Sequence, residues 1–596
     1  MKKNLTRLFE LIDQYQTIYQ HQQEVLGYKD QKDGKWKAYS ARQYVENVNK
    51  LSTAFLKLGI RPGDNVATII KNSPEWNFTD MALLQIGAVQ VPIYPTISLD
   101  NYKHIFSEAE IKMVIVSEKE IYEKIKPALG DEIAHIFTIE EVEGLRNFSE
   151  LYDLGNPADV EQINKLREDI HQDDVATIIY TSGTTARPKG VMLTHRNFVS
   201  NFKAVTYILE KESVSKALSF LPLCHVYERM LSYTYQYNGL SIYYAESIDK
   251  LGDNLKEVKP GIFCSVPRVL EKTYDKILNK GRNQPLLVKI IFYWALRVAE
   301  QFDHHKKLSW WYKFKLKIAN MLVFKKWRQG LGNNIEIIVS GGATLQPNLS
   351  RTFWAAGIRV FEGYGTTETS PVIAVTTNEP GGVKIGTVGP VIRGVDVKIA
   401  DDGEILCKGP NVMKGYYRHP EKTKEVIDEN GWFHTGDVGY LDDGKYLKIT
   451  DRKKEMFKTS GGKYIAPQVI ENNLKESPFI ENALVVGDGQ RFTSALIVPN
   501  FYHLRSWCRV KEIPYSTDEE MIKHERIIQR YQRVVDEYNE NLDHVEKIKQ
   551  FRLLADQWGV ESGELSPTLK LKRRVLYEKY ADRIREIYQN GNSNGK

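Results

Sequence analysis

Residues 180–190, YTSGTTARPKG, combine small hydroxyl side chains, glycines and one lysine directly after the mainly apolar run Val175–Ile179. Hydroxyls, backbone amides and a cation together can surround a polyphosphate. The stretch does not match the common nucleotide loop GxxxxGK[ST], because Gly190 follows Lys189. Ala186 stands where a turn would favour glycine. We interpret it as a residue of negative φ in a stiffer loop, since alanine at positive φ costs about 1 kcal/mol.

Four further stretches could act on the same ligand. They are SGGA (340–343), EGYGTTETS (362–370), FHTGDVGY (433–440) and DRKKE (451–455). The first two each follow a β-branched run, and glycines at strand exits allow a ligand to approach the backbone. Glu368 offers the type of oxygen ligand that Mg²⁺ takes beside phosphates. We predict Asp437 in a turn, where it can accept hydrogen bonds from a ribose diol, and Arg452 supplies a cation nearby.

The elements that must position these residues alternate in type along the first 380 residues. Short β-branched runs predict strands at 65–70, 88–94, 112–118, 175–180, 335–340 and 358–361. Segments with 3.6-residue periodicity, such as Ser40–Leu58, predict helices between them. This order indicates an α/β layered fold with mostly parallel strands. Residues 381–450 are rich in glycine and short strand-like pieces, and they predict a small β-rich subdomain.

The 596 residues exceed what one hydrophobic core normally organises, so we expect two domains. The residue composition and pattern change near DRKKE, which predicts a large N-terminal domain at 1–452 and a smaller α/β domain at 453–596. Strand candidates in the second domain are NALVVGD and SALIVP. Overlapping capping boxes predict a long helix from Ser516, with an apolar stripe reaching Val545. The tail QNGNSNGK is predicted to be disordered.

Composition is that of a soluble globular protein, with 42% hydrophobic and 27% charged residues. The four cysteines lie far apart without a CxxC pair, which argues against a disulfide framework or a zinc site and favours a reducing compartment. The N-terminus lacks the apolar middle of a signal peptide and is predicted to be an amphipathic helix. No apolar run approaches the roughly 18 residues needed to span a bilayer. We therefore expect a cytoplasmic protein.

Residues 280–330 differ from the rest in charge and aromatic content. They hold twelve Lys/Arg against Glu300 and Asp303, and four of the ten tryptophans. Apolar residues recur there at helical spacing, so one interpretation is a pair of core helices with a solvated basic face. The other is an interfacial surface that meets anionic lipid at the inner face of the cell membrane. No base-reading module accompanies the patch, and we expect no nucleic-acid partner.

Together the five stretches resemble the adenylate-forming superfamily, which includes acyl-CoA synthetases, luciferases and peptide-synthetase adenylation domains. The resemblance covers nearly the whole chain, with the motifs in the same order and spacing. LPLCHVYER (221–229), SVPRVLEKTY (265–274), the basic–aromatic insertion and ELSPTLKLKRR (564–574) are most similar to long-chain fatty acyl-CoA synthetases. Leu569, which replaces a glycine common in shorter-chain relatives, is typical of that branch.

The resemblance implies a role for each matching residue. The β- and γ-phosphates of ATP would be held by Thr181, Ser182, Gly183, Thr184, Thr185 and Lys189. Adenine would be flanked by Gly341, Gly342 and Ala343. The adenine pocket would be continued by Glu362, Gly363, Tyr364, Gly365 and Thr366. Thr367 and Glu368 would lie near the α-phosphate and Mg²⁺, Asp437 and Arg452 would clamp the ribose, and Lys570 would bridge the carboxylate and the α-phosphate.

The same resemblance implies a mobile C-terminal domain. Lys454 matches a hinge about which that domain swings between half-reactions, so that Lys570 leaves the site while Lys458 and residues 460–462 enter it. His225 aligns with the residue beside the acyl and thioester passage, although a lone histidine in such a segment is often merely packed. Candidates for the wall of the acyl tunnel are Tyr233, Tyr235, Tyr237 and the helices of residues 280–330. The alternative for the three tyrosines is that they form one face of a packed strand or helix end.

The resulting expectation is a ligase that uses ATP, Mg²⁺ and coenzyme A to convert a long-chain fatty acid into acyl-CoA, AMP and pyrophosphate. Two alternatives stay open. The acyl group could pass to the phosphopantetheine arm of a carrier protein, or the chain could be an inactive scaffold that binds lipid. A scaffold would be expected to have lost Glu368 or Lys570, and both are present. The sequence does not decide chain-length preference or whether the protein forms a homodimer.

Overall fold

The computed structural model describes residues 4–181, 187–210, 213–460, 463–540, 542–544, 546–559, 562–566 and 570–590. The disorder predicted for the tail concerns residues that lie almost wholly outside these ranges. Two eight-stranded sheets dominate the N-terminal part. The first sheet has, in spatial order, β15 (Val372–Val375), β14 (Arg359–Gly365), β13 (Ile337–Ser340), β12 (Ile262–Ser265), β10 (Lys216–Ser219), β11 (Ser241–Tyr244), β1 (Leu26–Lys29) and β2 (Trp36–Tyr39).

The second large sheet carries the strand before the YTSGTTARPKG stretch. Its spatial order is β18 (Gly415–Tyr416), β9 (Lys189–Thr194), β8 (Val175–Thr181), β4 (Val89–Pro92), β3 (Asn65–Ile69), β5 (Met113–Val116), β6 (His135–Thr138) and β7 (Arg146–Asn147). Strands β4, β3, β5, β6 and β7 run parallel, whereas β9 is antiparallel to both β8 and β18. The mostly parallel α/β fold is confirmed.

Three smaller sheets follow along the chain. An antiparallel sheet holds β16 (Asp396–Ile399), β17 (Glu404–Lys408), β19 (Phe433–Asp442) and β20 (Tyr446–Arg452); a two-stranded ribbon holds β21 (Phe457–Lys458) and β22 (Tyr464–Ile465); and a three-stranded sheet holds β23 (Ile480–Val486), β24 (Thr493–Pro499) and β25 (Ile548–Leu553). The antiparallel sheet lies in the segment predicted to be rich in β-structure.

Helices fill the connections and cover the sheets. In the N-terminal part they are α1 (Glu10–Thr17), α2 (Ala41–Lys57), α3 (Pro74–Gln85), α4 (Leu99–Glu108), α5 (Lys119–Ile125), α6 (Ser149–Leu154), α7 (Val160–Asp169), α8 (His195–Val205), α9 (Tyr207–Glu210), α10 (Val226–Tyr237), α11 (Leu251–Val258), α12 (Pro267–Arg282), α13 (Leu286–Ala299), α14 (Trp310–Ala319), α15 (Lys325–Gly330), α16 (Pro347–Ala355) and α17 (Pro420–Val426). In the C-terminal part they are α18 (Pro467–Leu474), α19 (Phe501–Val510), α20 (Asp518–Met521), α21 (Glu525–Asn539), α22 (Arg573–Lys579) and α23 (Ala581–Asn590).

The central strands of the large sheets are buried on both faces, which explains their nearly continuous apolar sequences. In β5, Met113 and Ile115 pack into the core shared by the two sheets, while Val114 and Val116 pack into a second core on the opposite face. The C-terminal sheet repeats this arrangement around its own two cores. Of the helices within the described ranges, none is both long and apolar enough to cross a membrane.

The prediction of one long helix that begins near Ser516 is wrong in its extent. Two helices, α20 and α21, replace it because His524 caps a new helix by accepting a hydrogen bond from the amide of Arg526. The Thr517 side chain caps α20 as predicted. Helix α21 ends at Asn539, whose side chain hydrogen-bonds both backbone groups of Ile548 at 2.9 Å and so ties the helix end to β25.

Candidate active site

The predicted site residues gather where strands of both large sheets end. Strands β13 and β14 are parallel neighbours with Ser340 opposite Glu362. SGGA and EGYG therefore leave the first sheet at the same edge, where open α/β sheets bind ligands. Gly342 has φ +80°, a conformation that favours glycine. A Cβ on Gly341 would lie 3.1 Å from the Tyr227 ring, so the backbone passes close to that aromatic side chain.

The predicted phosphate loop, which we define as residues 181–189, connects β8 to β9. Its two ends, Thr181 and Lys189, lie opposite each other as the last pair of an antiparallel ladder. Ser182, Gly183, Thr184, Thr185 and Ala186 lie outside the described residues. The Lys189 ammonium lies 4.9 Å from the centre of the Tyr416 ring, and burial, with Lys422 and Lys454 nearby, lowers its pKa. This ammonium is held beside an aromatic face next to the loop.

Glu368 lies in a short 3₁₀ turn, Thr367–Thr369, directly after β14. Its Oε1 accepts a 3.0 Å hydrogen bond from the hydroxyl of Tyr416, the residue that also supports Lys189. No group of three or more His, Cys, Asp or Glu side chains suited to a metal occurs in the described part of the chain. A single carboxylate fits Mg²⁺, which usually keeps several waters and takes its other ligands from substrate phosphates.

Tyr364, Asp437 and Arg452 form one hydrogen-bonded group. The Tyr364 hydroxyl donates to Asp437 Oδ2 at 2.8 Å, and Arg452 Nε lies 2.8 Å from Oδ1. The predicted turn at Asp437 is wrong: the residue lies within strand β19, paired with Arg452 on β20, because antiparallel pairing extends through the FHTGD segment. Asp437 is only 3% exposed, and burial raises its pKa although Arg452 opposes this effect.

The Glu362 side chain contacts helix α16. Its carboxyl accepts a 2.9 Å hydrogen bond from the Ser350 hydroxyl of α16, and burial raises its pKa to about 8. Gly363 and Gly365 continue the strand without side chains, and Thr366 caps the turn that holds Glu368. The buried Ser340 hydroxyl has no hydrogen-bond partner among the described residues. This edge of the sheet therefore retains an unused polar atom beside the glycines Gly341 and Gly342 and beside Ala343.

Lys570 is a residue of the C-terminal part that reaches this site. It is solvent-accessible, but the protein atoms around its ammonium displace much of its hydration and, with Arg452 nearby, lower its pKa to about 8, while Asp437 opposes the shift. Lys570 also contributes to the lowering of the His225 pKa to about 4, of which burial is the main cause. The Lys570 ammonium therefore lies within electrostatic reach of both the Asp437–Arg452 pair and His225.

His225 stands at the start of α10. Its Nδ1 accepts a 3.2 Å hydrogen bond from the amide of Tyr227, and its ring lies edge-on to Tyr94 at 6.3 Å. Four residues along the helix, Arg229 pairs with Asp80 in the interior, where Tyr233 donates to the same carboxylate at 2.8 Å. Tyr233 is thus part of a buried polar network on a helix, which accounts for it as core packing.

Lys458 does not join this group. It lies in the ribbon β21–β22 with its ammonium 4.5 Å from the Tyr464 ring centre, and residues 461–462 lie outside the described ranges. Lys454 is exposed between β20 and β21. The C-terminal part contacts α16 through a hydrogen bond of 3.1 Å from Asn348 to Glu476. In this arrangement Lys570, and not Lys458, faces the sheet edges.

Sequence reasoning missed Tyr416, which contacts both Glu368 and Lys189. The tyrosine lies 48 residues beyond the carboxylate, and its position depends on β18 pairing with β9. No spacing rule carries that information, because the contact arises from the edge pairing of a two-residue strand.

The site as a whole defines a class: a two-part α/β protein with a nucleotide-type site at strand ends, completed by a lysine from the C-terminal part.

Comparison with known proteins identifies the family. The pattern of the AMP-binding enzyme family matches residues 18–417, and that of the AMP-binding enzyme C-terminal domain matches residues 455–592. The chain belongs to the AMP-binding enzyme family. The resemblance derived from the sequence motifs is therefore confirmed.

Curated relatives and solved structures agree with this assignment. The chain is 33% identical to the long-chain-fatty-acid–CoA ligase FadD15 of Mycobacterium bovis, covering 93% of both chains. It is 31% identical to long-chain-fatty-acid–CoA ligase 1 of Cavia porcellus, covering 93% of this chain and 82% of the relative. The fold is similar to ATP-bound MatB from Rhodopseudomonas palustris, with a TM-score of 0.72 at 21% identity over 97% of this chain and 99% of that structure.

Proposed function

We propose that the protein is a long-chain-fatty-acid–CoA ligase that forms acyl-CoA through an acyl-adenylate and releases AMP and pyrophosphate. The observation that carries this proposal is the approach of Lys570 to the Asp437–Arg452 pair beside the two glycine-rich strand exits. The similarity to long-chain-fatty-acid–CoA ligases over 93% of the chain supports the substrate class. Transfer to a carrier-protein arm and an inactive scaffold are not favoured.

In the first half-reaction a fatty carboxylate oxygen attacks the α-phosphorus of ATP, and pyrophosphate leaves. The attack brings an anion towards phosphoryl oxygens that are also negative, so cations that stabilise the transition state contribute most. Lys570 would supply one at the α-phosphate and Lys189 another at the leaving phosphates. Asp437, which is already oriented by Tyr364 and Arg452, would accept hydrogen bonds from the ribose hydroxyls and hold the nucleotide in line.

Glu368 would bind Mg²⁺, which supplies charge neutralisation at the phosphates. The Tyr416 hydroxyl would keep the carboxylate pointed at the phosphate loop. In the second half-reaction the coenzyme A sulfur attacks the carbonyl carbon of the acyl-adenylate, and AMP leaves. We assign residues 1–452 to a large domain and 453–596 to a small one, with the hinge near Lys454. Rotation there would remove Lys570 and bring Lys458 to the site.

A product assay tests the reaction. Purified protein is incubated with ATP, Mg²⁺ and saturated acids from short to very long, with and without coenzyme A. We expect thioester and AMP to accumulate together only when coenzyme A is present, with the highest kcat/KM for long chains. The absence of any CoA thioester would contradict the proposal, and thioester formed only on a phosphopantetheinylated carrier protein would favour the first alternative.

We also propose that the hairpin α13–α14 contacts anionic membrane from the cytoplasmic side. Six large apolar side chains in this region are each more than half exposed: Leu286, Leu287, Trp310, Trp311, Phe314 and Met321. Exposed lysines, Lys313, Lys315 and Lys317, stand on α14 beside them. An amphipathic surface of this type buries its apolar side in the headgroup region while its lysines meet anionic lipid. A fatty acid substrate would partition into the same bilayer.

Vesicle co-sedimentation tests the membrane contact. We expect binding to phosphatidylcholine–phosphatidylglycerol vesicles that falls at high salt, and Lys313→Gln to weaken it about fivefold because each lysine contributes about 1 kcal/mol. Replacing Trp310 and Trp311 by serine should weaken binding without removing the salt dependence. The matched charge control is Lys165→Gln, since Lys165 is an exposed lysine that pairs with Glu161 at 2.8 Å. Binding that ignores both salt and anionic lipid would overturn the proposal.

A further inference from the structure

Helix α4 contacts the chain on both sides of the phosphate loop. His104 and Glu108 lie one helical turn apart on the same face of this helix. The His104 Nε2 atom lies 3.1 Å from the carbonyl oxygen of Pro188, at the end of the loop. Glu108 Oε2 accepts a 2.8 Å hydrogen bond from the hydroxyl of Tyr180, the residue before the loop. One rigid element therefore fixes both ends of a segment that the motif comparison assigns to phosphate binding.

The second oxygen of Glu108 has a different partner. Oε1 lies 3.1 Å from Nε2 of His419, three residues after Tyr416. Tyr416 belongs to β18, the edge strand that pairs with β9, and its hydroxyl holds Glu368. Through its two oxygens Glu108 thus joins the strand that enters the phosphate loop to the segment that orients the proposed Mg²⁺ ligand.

These contacts are made in a largely water-free place. The Glu108 and His104 side chains are 12% and 15% exposed, and Tyr180 is 8% exposed. Burial, together with the adjacent Glu108 carboxylate, raises the pKa of Tyr180, so its hydroxyl keeps its proton and donates. A carboxylate with both oxygens engaged has one favoured orientation, and removing it leaves buried donors unsatisfied.

We propose that Glu108, assisted by His104, is a positioning residue for the triphosphate of ATP. It touches no substrate and acts through Tyr180, Pro188 and His419, which set the placement of Thr181, Lys189 and Glu368. This inference rests on the proposed function, because it takes the phosphate loop as the triphosphate site. It adds the element that holds the loop, which neither the motif nor the family assignment identifies.

Substrate-resolved kinetics and nucleotide binding test the inference. We expect Glu108→Ala to raise the KM and the calorimetric Kd for ATP about tenfold, while the KM values for fatty acid and coenzyme A change less than about twofold. Tyr180→Phe, which removes one hydroxyl, should raise the same two ATP constants about threefold. Glu108→Gln should restore most of the affinity, since its amide oxygen can still accept from Tyr180.

Glu110→Gln is the matched control. Glu110 lies two residues away, and its exposed carboxylate pairs with Arg418 at 2.6 Å. We expect it to leave the ATP constants unchanged. If the wild-type protein binds no ATP, the proposed function fails. If the wild type binds ATP and both Glu108→Ala and Tyr180→Phe bind it equally well, or if all three KM values rise together, the positioning inference is wrong. Should Glu108→Ala not fold, Tyr180→Phe and His104→Gln decide.

Discussion

Replacing Lys570 by alanine is expected to lower the rate of adenylate formation by about 10²–10³, the loss typical of removing one preorganised group that stabilises transition-state charge. The same variant should convert a supplied acyl-adenylate and coenzyme A into thioester at close to the wild-type rate. The reason is the placement of the two lysines: Lys570 lies within electrostatic reach of Asp437 and Arg452, whereas the Lys458 ammonium lies against the Tyr464 ring on the ribbon β21–β22. We therefore expect Lys570 to serve only one of the two half-reactions.

Two assays separate the half-reactions. Pyrophosphate exchange into ATP reports adenylation, and thioester formation from preformed acyl-adenylate reports the second step. Lys572→Ala removes the same charge two residues away on an exposed side chain and should leave both rates unchanged. Equal losses in the two assays would mean that Lys570 acts on the structure as a whole, and unchanged exchange would remove it from the mechanism.

The pH dependence of the adenylation rate is a second test of the role of Lys570. Desolvation by the surrounding protein atoms, together with Arg452, lowers the pKa of Lys570 to about 8, so its ammonium is present below pH 8 and is lost as the pH rises through that value. Adenylation measured by pyrophosphate exchange should therefore decline on the alkaline side with an apparent pKa near 8. Lys570→Arg keeps its charge throughout this range and should abolish that decline, even if its overall rate is lower.

Much of the fold could be read from the sequence because its strands obey a simple physical rule. Strands β3, β5 and β8 are covered on both faces, so they appear as short, continuous β-branched runs between amphipathic helices. The periodic segment Ser40–Leu58 forms helix α2, which Ser40 caps through reciprocal hydrogen bonds with Gln43. Predicting turns from residue composition was less reliable. The HTGD segment has the composition of a turn, yet pairing with β20 holds Asp437 in a strand.

The contacts within the site could not be read in the same way. Tyr364 meets Asp437 across 73 residues, and Glu108 meets His419 across 311 residues. Neither spacing follows a helical or strand period, so no local pattern signals these pairs. The motifs predict which residues bind the nucleotide, but Tyr416 and Glu108, which contact those segments, lie outside the motifs. Tertiary packing alone brings them together.

Replacing Glu368 by glutamine is expected to lower the adenylation rate on the order of 10² and to raise the Mg²⁺ concentration needed for half-maximal rate at least tenfold. The amide keeps an oxygen that can accept from Tyr416, so the local fold should survive while the negative charge is lost. Mg²⁺ usually takes its remaining ligands from substrate phosphates and water rather than from further carboxylates. Little in the protein can then compensate for the lost carboxylate.

Binding measurements make this prediction independent of turnover. Calorimetry of ATP binding at several Mg²⁺ concentrations should show strong metal dependence for the wild type and a much weaker one for Glu368→Gln. Glu379→Gln, which removes a carboxylate that pairs loosely with Arg393 at 3.7 Å, provides the matched control. A tyrosine-to-phenylalanine change at position 416 should produce a smaller shift in the same direction, since it frees the carboxylate without removing its charge. If Glu368→Gln binds ATP with unaltered Mg²⁺ dependence, the metal is held elsewhere and Glu368 instead supports Tyr416 and the strand edge.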